Sequence, residues 1–534
     1  MRSFDYIIVG AGTAGCVLAN RLTEKNPLIH VLLVEAGMDS RDPRIFTPSS
    51  YPLLNGTTMN WNFFTEPQKN LGGRQIYQPR GKAMGGSSAI NCMAYIRGNK
   101  ADFENWESMG CGGWSYADML PYFKKSENNL DIQNEFHGQG GPLTVSNPSQ
   151  NTIFGQAFIE ACGSIGIPKN TDFNGASQIG AGMFQFAIDD GQRVTGASAF
   201  INPILKRKNL KVLSQFHVTN LVMEGDQVTG IEGHLKNAKS STIFRADQDV
   251  ILSAGSFQSP QIMMLAGIGD ADYLKSFGIE QKVNLPGVGK NLSDHVFVNM
   301  HAEAKTQRAS FNAAISIPNF LNYVTKKKGP LSASPLEGCA FYDSMNQSDQ
   351  PDLQFHFSSA WSLDMYDYKK MPIDDGFTCL PTLLKPESRG YVGLHSKSPW
   401  DAPKIDPNYL SDSEGKDLAT LKRGVKLAHQ ILLSAEFDHL RLGNTLPYPS
   451  GELTEELIQK HIERATECVY HPIGTCKMGN DASSVTDPNT LRVKGINGLR
   501  VIDASIMPDL VSGNTNAIVM AIGEKGSDLI LNNY

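Results

Sequence analysis

The opening of the chain constrains it most. Asp5-Tyr-Ile-Ile-Val-Gly10-Ala-Gly12-Thr13-Ala14-Gly15 is an apolar run ending in a glycine turn; a helix-like stretch follows, and a second apolar run, Val31-Leu-Leu-Val, ends in Glu35-Ala36-Gly37. This is the pattern of a βαβ unit that binds a dinucleotide. Gly10 permits the tight turn out of the strand, Gly12 lets a pyrophosphate approach the backbone, and Gly15 lets the helix pack closely on the sheet. The helix N-terminus then faces the phosphates with free N–H groups and the positive end of its dipole. Glu35 stands at the end of the second run, placed to hydrogen-bond a ribose hydroxyl and unsuited to a 2′-phosphate.

The 534 residues exceed what one core fills and suggest several structural units of about 150 residues each. A net charge of −6 without long runs of one sign argues against nucleic-acid partners. The basic clusters Lys206-Arg207-Lys208 and Lys326-Lys327-Lys328 sit beside turn residues and read as solvated surface. No apolar stretch approaches the roughly 20 residues that cross a bilayer. The N-terminus enters the first strand directly, which leaves no room for a signal peptide. The expectation is a cytoplasmic protein, with peripheral membrane contact through a surface patch left open. The eight cysteines form no close-spaced framework and read as reduced thiols. Cys468, His471 and Cys476 lack a fourth ligand at conventional spacing, so no metal site is expected.

Along the chain, Asp39 to Arg80 is rich in Pro, Asn, Gly and Thr and predicts a long irregular excursion. Trp61 and Phe63-Phe64 interrupt it, either covering a ligand or anchoring the loop. Gly81-Lys-Ala-Met84-Gly85-Gly86-Ser87-Ser88-Ala-Ile90-Asn91 is too glycine-rich for a helix start, and its backbone N–H groups make a second cradle for phosphate or a ring. A plain glycine turn is the alternative. Asn209 to Phe244 reads as an antiparallel meander that includes Leu210-Lys-Val-Leu. Asp249 to Gly255 reads as a buried strand that ends in glycine, with an apolar helix through Leu265. His301 to about Arg464 carries long strands such as Asp352 to Phe357 and an amphipathic helix near Leu418 to Leu433. The last seventy residues return to α/β texture, with Leu499 to Ser505 as a strand and Asn516 to Leu531 as a closing helix. The expected organisation is interleaved: a cofactor domain over 1–155, 191–300 and 465–534, and a substrate-side domain over 156–190 and 301–464.

Tyr470-His471-Pro472-Ile-Gly474-Thr fixes a histidine between an aromatic and a proline. That suits a base needing one orientation, and it also suits a satisfied structural histidine. Ser512-Gly-Asn514-Thr515-Asn516 lies beyond the Asp503 strand, where open α/β sheets place ligands. Asn514 is a donor for a substrate oxygen; alternatively Asn514 or Asn516 caps the final helix.

Taken together, these pieces resemble the glucose-methanol-choline oxidoreductases over nearly the whole chain. Gly81 to Asn91 matches the first family signature, and Gly255-Ser-Phe-Gln-Ser-Pro260 through Gly267-Ile-Gly269 the second, with Ala266 where the family usually has Ser. Leu285 to His295, Asp406 to Leu410 and His471 to Gly479 agree as well. Within the family, Asn60-Trp61 and Tyr95-Ile-Arg97-Gly98 are typical of the bacterial choline dehydrogenase and aliphatic alcohol dehydrogenase group.

The resemblance implies an α/β fold, a Rossmann-like FAD-binding domain interleaved with an α+β substrate domain built on an antiparallel sheet. It places FAD on Gly10, Gly12, Thr13, Ala14 and Gly15, with Glu35 and Ala36 at the ribose and Val218 at adenine. The first signature and its flanks, Trp61, Arg80, Met84, Gly86, Ser87, Asn91, Met93 and Ala94, run beside the flavin ring. Ala254, Gly255, Asp503, Ala504 and Thr515 complete the cofactor contacts. Ile90 stands where some relatives link the flavin through histidine, so FAD is expected to bind noncovalently.

The resemblance also implies oxidation of a primary alcohol to an aldehyde, with His471 accepting the hydroxyl proton, Asn514 supporting the developing alkoxide and hydride leaving to flavin N5. A hydroxynitrile lyase, a flavin photodecarboxylase and a nicotinamide-linked dehydrogenase are the rival readings. The photodecarboxylase relative lacks the histidine and asparagine, and a nicotinamide enzyme would not need the distant glycine and closing segments. For the substrate, Trp61, Tyr470 and Glu337 could form a box for the quaternary ammonium of choline, although Trp61 and Tyr470 are shared with enzymes acting on uncharged alcohols. Met and Phe are plentiful from Phe311 to Tyr368, in agreement with an apolar pocket or with ordinary core. The electron acceptor is a quinone or another carrier, or O2; group resemblance favours the dehydrogenase, and Val469 leaves an apolar oxygen path conceivable.

Overall fold

The computed structural model describes residues 3–39, 41–149, 152–305, 316–361, 375–446, 448 and 452–532. Its first sheet grows outward from the strand Ser3–Val9, whose Ile7 and Ile8 are fully buried. This strand runs parallel to Val31–Val34 on one side and to Thr242–Leu252 on the other. The helix Thr13–Lys25 makes the crossover between the first two strands. Leu210–Leu213 does not join the meander in which the sequence placed it. It pairs parallel with Val31–Val34 and extends the parallel edge, because its alternation is too short to distinguish the two pairings.

The eleven-residue strand Thr242–Leu252 forks. Its first half pairs antiparallel with Gln227–Leu235, which in turn pairs with Phe216–Glu224. Its second half pairs parallel with Leu499–Val501. A buried ion pair, Arg500 Nε to Asp249 Oδ2 at 2.9 Å, stands at the fork. The strand expected over Leu499 to Ser505 stops at Val501, and Ala504–Ile506 coils into a 3₁₀ turn capped by Asp503. The closing helix Asn516–Leu531 lies on the first helix, with Arg21 gripping Glu524 by two bonds of 2.8 Å. Gly523 makes the approach close, since a Cβ there would stand 3.0 Å from Val17 Cβ. The first and last segments of the chain therefore share one layer.

A second sheet of eight strands is antiparallel at every pairing among the described residues. Its spine is Met300–Ala304, Gly376–Leu383, Leu353–Ser358 and Leu336–Tyr342, with Gly180–Met183 at one edge. Val296–Val298 and Thr466–Cys468 join it beside Gly376–Leu383. Side chains alternate across such a sheet. Leu353, Phe355 and Phe357 therefore enter the apolar core with the helices Ile153–Ser164 and Lys416–Leu433, and Phe158 stacks on Phe357 at 4.7 Å. His356 and Ser358, in the alternate register, face the other way. The aromatic stretch from Phe311 to Tyr368 falls partly at 306–315 and 362–374, outside the described residues.

The excursion from Asp39 to Arg80 contains short helical turns and a two-residue hairpin, Phe63–Phe64 with Tyr77–Gln78. Trp61 stacks on Phe63 at 5.7 Å, and Lys82 Nζ lies 4.0 Å over the Trp61 ring. No helix among the described residues is long and apolar enough to cross a membrane.

Candidate active site

One elongated cavity runs between the two sheets, and its two ends are built from different materials. At one end the material is backbone. Gly10 has φ +102°, and a Cβ on it would stand 2.5 Å from Ser253 O, so only glycine passes there. Gly12 meets nothing nearer than Ser253 O at 3.8 Å and leaves its backbone open to a ligand. The second glycine segment lies directly on the first: Gly85 N–H donates to Ala11 O at 2.8 Å, and a Cβ on Gly86 would stand 2.6 Å from Gly12 Cα. Glu35 accepts from Ala11 N at 2.9 Å and Gly37 N at 2.8 Å, which points its carboxyl along the cavity wall. Burial raises that carboxyl to about 7 against the pull of these amides and of Lys82. Phe216, His217 and Val218 form the outer wall here, with His217 Nε2 bonded to Pro399 O at 3.0 Å and the ring stacked on Trp400 at 4.6 Å.

The middle is closed by Asp503. One of its carboxylate oxygens accepts from Gly255 N (2.9 Å) and Ser259 Oγ (2.6 Å), the other from Ser505 N (2.8 Å). Thr13 Oγ1 donates to Asn516 Oδ1 at 2.7 Å, tying the first loop to the closing helix. Neither Asn514 nor Asn516 caps that helix: the N-cap is Thr515, without a side-chain bond, and both asparagines are engaged elsewhere.

At the other end the material is side chain. His471 follows Tyr470, a non-glycine residue at φ +69°. Its loop is clamped from two sides: His471 N–H donates to Asp294 Oδ1 at 2.7 Å, and Arg80 Nη2 donates to Tyr470 O at 2.6 Å. Asp294 is itself held by the Cys468 thiol at 2.7 Å and Tyr409 OH at 3.1 Å. The ring of His471 is fixed by a second histidine. His295 Nε2 lies 3.0 Å from Leu384 O, a pure acceptor, so it carries the proton; His295 Nδ1 then accepts, and His471 Nδ1, 3.0 Å away, must donate to it. The lone pair of His471 is left on Nε2, facing Asn514 Nδ2 at 3.3 Å. Burial first, then the nearby His295, His356 and Arg80, hold His471 well below the usual histidine range. Burial lowers His295 to about 3. Both imidazoles are neutral at pH 7.

Most residues expected at the site line this cavity: Gly10, Gly12, Thr13, Ala14, Glu35, Ala36, Trp61, Arg80, Gly86, Ser87, Asn91, Met93, Ala94, Val218, Ala254, Gly255, Asp503, Ala504 and Thr515, with His471 and Asn514. Two of the expected cofactor residues do not. Gly15 faces the strand instead, where a Cβ would stand 2.0 Å from Gly10 O, and Met84 is buried in the core. Glu337 is also off the wall, since its carboxylate is bound by Thr152 Oγ1 at 2.6 Å and by the Ser359 hydroxyl. Sequence reasoning missed Tyr51, His217, Phe297, His356 and Thr378, which line the cavity, and gave His295 and Asp294 no role. The Asp294-His295 pair ends the Leu285 to His295 segment, but the partner of His295 lies 176 residues on.

The cavity thus joins a glycine-lined cleft, with Glu35 on its wall, to a neutral histidine bonded to an amide, the arrangement of a dinucleotide-dependent oxidoreductase site. The chain belongs to the GMC oxidoreductase family, which it matches over residues 4–297 and 386–523. It is an FAD-dependent enzyme of that family. It is 39% identical to the alcohol dehydrogenase [acceptor] of Pseudomonas putida, over 99% of this chain and 96% of that one. It is 37% identical to an oxygen-dependent choline dehydrogenase of Brucella suis, over 99% and 95% of the two chains. Among solved structures, pyridoxine 4-oxidase from Mesorbium loti superposes with a TM-score of 0.89 at 31% identity, covering all of both chains.

Proposed function

We propose that the enzyme oxidises a primary alcohol to an aldehyde, with His471 as the base. The observation that carries this reading is the oriented, neutral His471: its Nδ1 proton is committed to His295, so the Nε2 lone pair faces the cavity side, where it accepts from Asn514 Nδ2 at 3.3 Å. An alcohol oxygen within reach of both atoms gives its proton to Nε2 and takes over the hydrogen bond from Asn514 Nδ2 as it gains alkoxide character. FAD, when bound, supplies the two-electron acceptor for the hydride from the carbinol carbon. Gly12 and Thr13 would hold its pyrophosphate, Glu35 its ribose, and the segment Gly86 to Ala94 its ring. The residues fit that group, because the cradle is backbone wherever a side chain would collide.

Noncovalent binding is supported by the wall chemistry. Ile90 offers no nucleophile, and burial pushes the thiol of Cys92, which also faces the cavity, up to about 11. A choline box finds little support. Glu337 is turned into its own hydrogen bonds, and the face of Trp61 already carries Lys82. The relatives' names point both ways, one being an alcohol dehydrogenase [acceptor] and another an oxygen-dependent choline dehydrogenase, so a carrier such as a quinone and O2 are both kept as acceptors for this chain.

The testing experiment is an anaerobic absorbance titration of the holoenzyme with medium-chain alkanols, benzyl alcohol and choline, followed by air. Bleaching of the oxidised flavin band by alcohols supports the reading, and slow recovery in air supports a dehydrogenase. A flavin band that no alcohol bleaches would overturn it.

A further inference from the structure

The segments that carry His471's support and Asn514 meet again away from the cavity wall, at an ion pair the mechanism does not use. Asp102 lies in the first turn of the helix Lys100–Ser108 and is fully buried. Capping that helix takes one oxygen: Oδ2 accepts from Asn99 N at 2.8 Å. The carboxylate does much more. Oδ2 also accepts from Ser512 N at 2.6 Å, and Oδ1 accepts from Ser512 Oγ at 2.9 Å, Gln350 Nε2 at 3.0 Å and Lys385 Nζ at 3.0 Å. A carboxylate has about four lone-pair sites, so this one is saturated, and two of its donors belong to a single residue, Ser512.

Ser512 stands two residues before Asn514. Between them Gly513 has φ +135°, and a Cβ on it would collide with Ile96 Cγ2. Ser512 O accepts from Gln178 Nε2 at 2.7 Å. With its N–H, hydroxyl and carbonyl all bonded, Ser512 moves only by breaking buried hydrogen bonds, and it fixes where the Asn514 backbone starts. Lys385 leads to the other partner. Its Nζ also donates to Leu510 O at 2.7 Å and lies 3.5 Å from Asp509 Oδ2. The residue before it, Leu384, supplies the carbonyl that takes the His295 Nε2 proton at 3.0 Å and so sets the tautomer of His471. Charge-assisted hydrogen bonds are roughly twice as strong as neutral ones, and the Asp102–Lys385 pair ties the two arms together with one of them.

We infer that Asp102 and Lys385 are positioning residues that hold Asn514 and His471 in register with each other, so that loosening the pair slows the chemical step without weakening the binding of flavin or alcohol. This rests on the alcohol-oxidation reading above and names what fixes its geometry. The alcohol oxygen has to reach His471 Nε2 and Asn514 Nδ2 together, and those atoms come from segments 43 residues apart. A displacement of about 1 Å between them costs on the order of a hundredfold in rate. Neither Asp102 nor Lys385 lines the cavity, so neither touches substrate or cofactor. A pair that served packing alone would change stability and leave the rate of the folded enzyme as it is.

The test reads the rate of flavin reduction in the holoenzyme, mixed anaerobically with benzyl alcohol or a medium-chain alkanol, whichever reduces the parent. Asp102→Asn keeps the shape of the side chain and an oxygen for the helix cap, but turns an NH2 toward donors. Its limiting reduction rate should fall about tenfold to a hundredfold, with flavin content as in the parent and the half-saturating alcohol concentration within about threefold. Lys385→Met should lose at least as much, because it releases both arms. It leaves Asp102 with its four neutral donors, so it serves if the first variant does not fold. Lys385→Arg keeps the charge and should recover most of the loss. The decisive comparison is made in Asn514→Ala: once the positioned amide is gone, Asp102→Asn or Lys385→Met should cost less than in the parent, by about threefold or more. Equal losses in the two backgrounds, or parent-like reduction rates in both Asp102→Asn and Lys385→Met, would overturn the positioning role while leaving alcohol oxidation intact. A parent enzyme whose flavin no alcohol reduces would instead overturn the reading beneath it.

Discussion

The two ends of the cavity do comparable work by opposite means. The glycine-lined end is built from peptide groups and leaves no room for a side chain at Gly10, Gly15 or Gly86. The histidine end has side chains from segments far apart in sequence: His471 held by His295 and Asp294, Asn514 by Gln354, and His356 by Thr382. The backbone cradle is set by close approaches of main chain to main chain, Gly10 to Ser253 and Gly86 to Gly12, which leave no slack for a side chain. A side-chain site is set by tertiary contacts and degrades in steps.

Breaking the backbone end should give the largest effect. Gly10→Ala must hold alanine at φ +102° with its Cβ 2.5 Å from Ser253 O, so the strand-to-helix turn has to move. Strain of this kind costs roughly 1–3 kcal/mol before the clash is counted. The purified variant should carry no flavin absorbance and no activity, with or without added FAD. A yellow, active Gly10→Ala protein would show that the cradle is not rigid.

The side-chain end should fail more gracefully. His471→Ala should retain the yellow colour and lower kcat by about 10²–10⁴-fold, the usual worth of a positioned base. Full activity in this variant would remove His471 from the chemistry.

These outcomes also mark what was legible in the sequence. The cradle could be read residue by residue because Gly10, Gly12 and Glu35 lie within one βαβ unit, where spacing determines position. Asn514 and His471 became candidates through their turn chemistry and the family resemblance. His356 sits in a strand whose alternation predicts only that it faces away from Phe355 and Phe357, not what it faces. His295 and Asp294 act on His471 from 176 and 177 residues away, and no local pattern carries that information. The reading of Leu210–Leu213 as part of a meander failed for the same reason: a four-residue strand does not encode its neighbour.

A smaller effect should separate positioning from chemistry within the histidine end. The base form of His471 is the neutral one, and its pKa lies well below the ordinary value, about 6.5. As pH falls through 6.5 the neutral form persists, so kcat/KM should stay level there and drop only at more acid pH. His295→Gln disturbs the Nδ1 contact that fixes the tautomer and orientation of the His471 ring. Its kcat should fall about tenfold to a hundredfold while the flavin stays bound. An unchanged kcat would make His295 a packing residue only.

The smallest expected effect concerns Glu337, the acid that seemed available for choline. Its carboxylate accepts from Thr152 Oγ1 and Ser359 Oγ and is packed against Gly155, where a Cβ would meet Oε2 at 2.7 Å. Burial raises this carboxyl, so the side chain is held at a desolvation cost that a neutral amide would not bear. Glu337→Gln relieves that cost but turns an NH2 toward one of two hydroxyl donors, for a net loss of about 1–2 kcal/mol. Thermal unfolding should shift down slightly, while the ratio of kcat/KM for choline to that for an n-alkanol stays as in the parent. Loss of choline turnover with the alkanol rate preserved would place Glu337 at the substrate and reverse the assignment of this end of the cavity to neutral hydrogen-bonding groups.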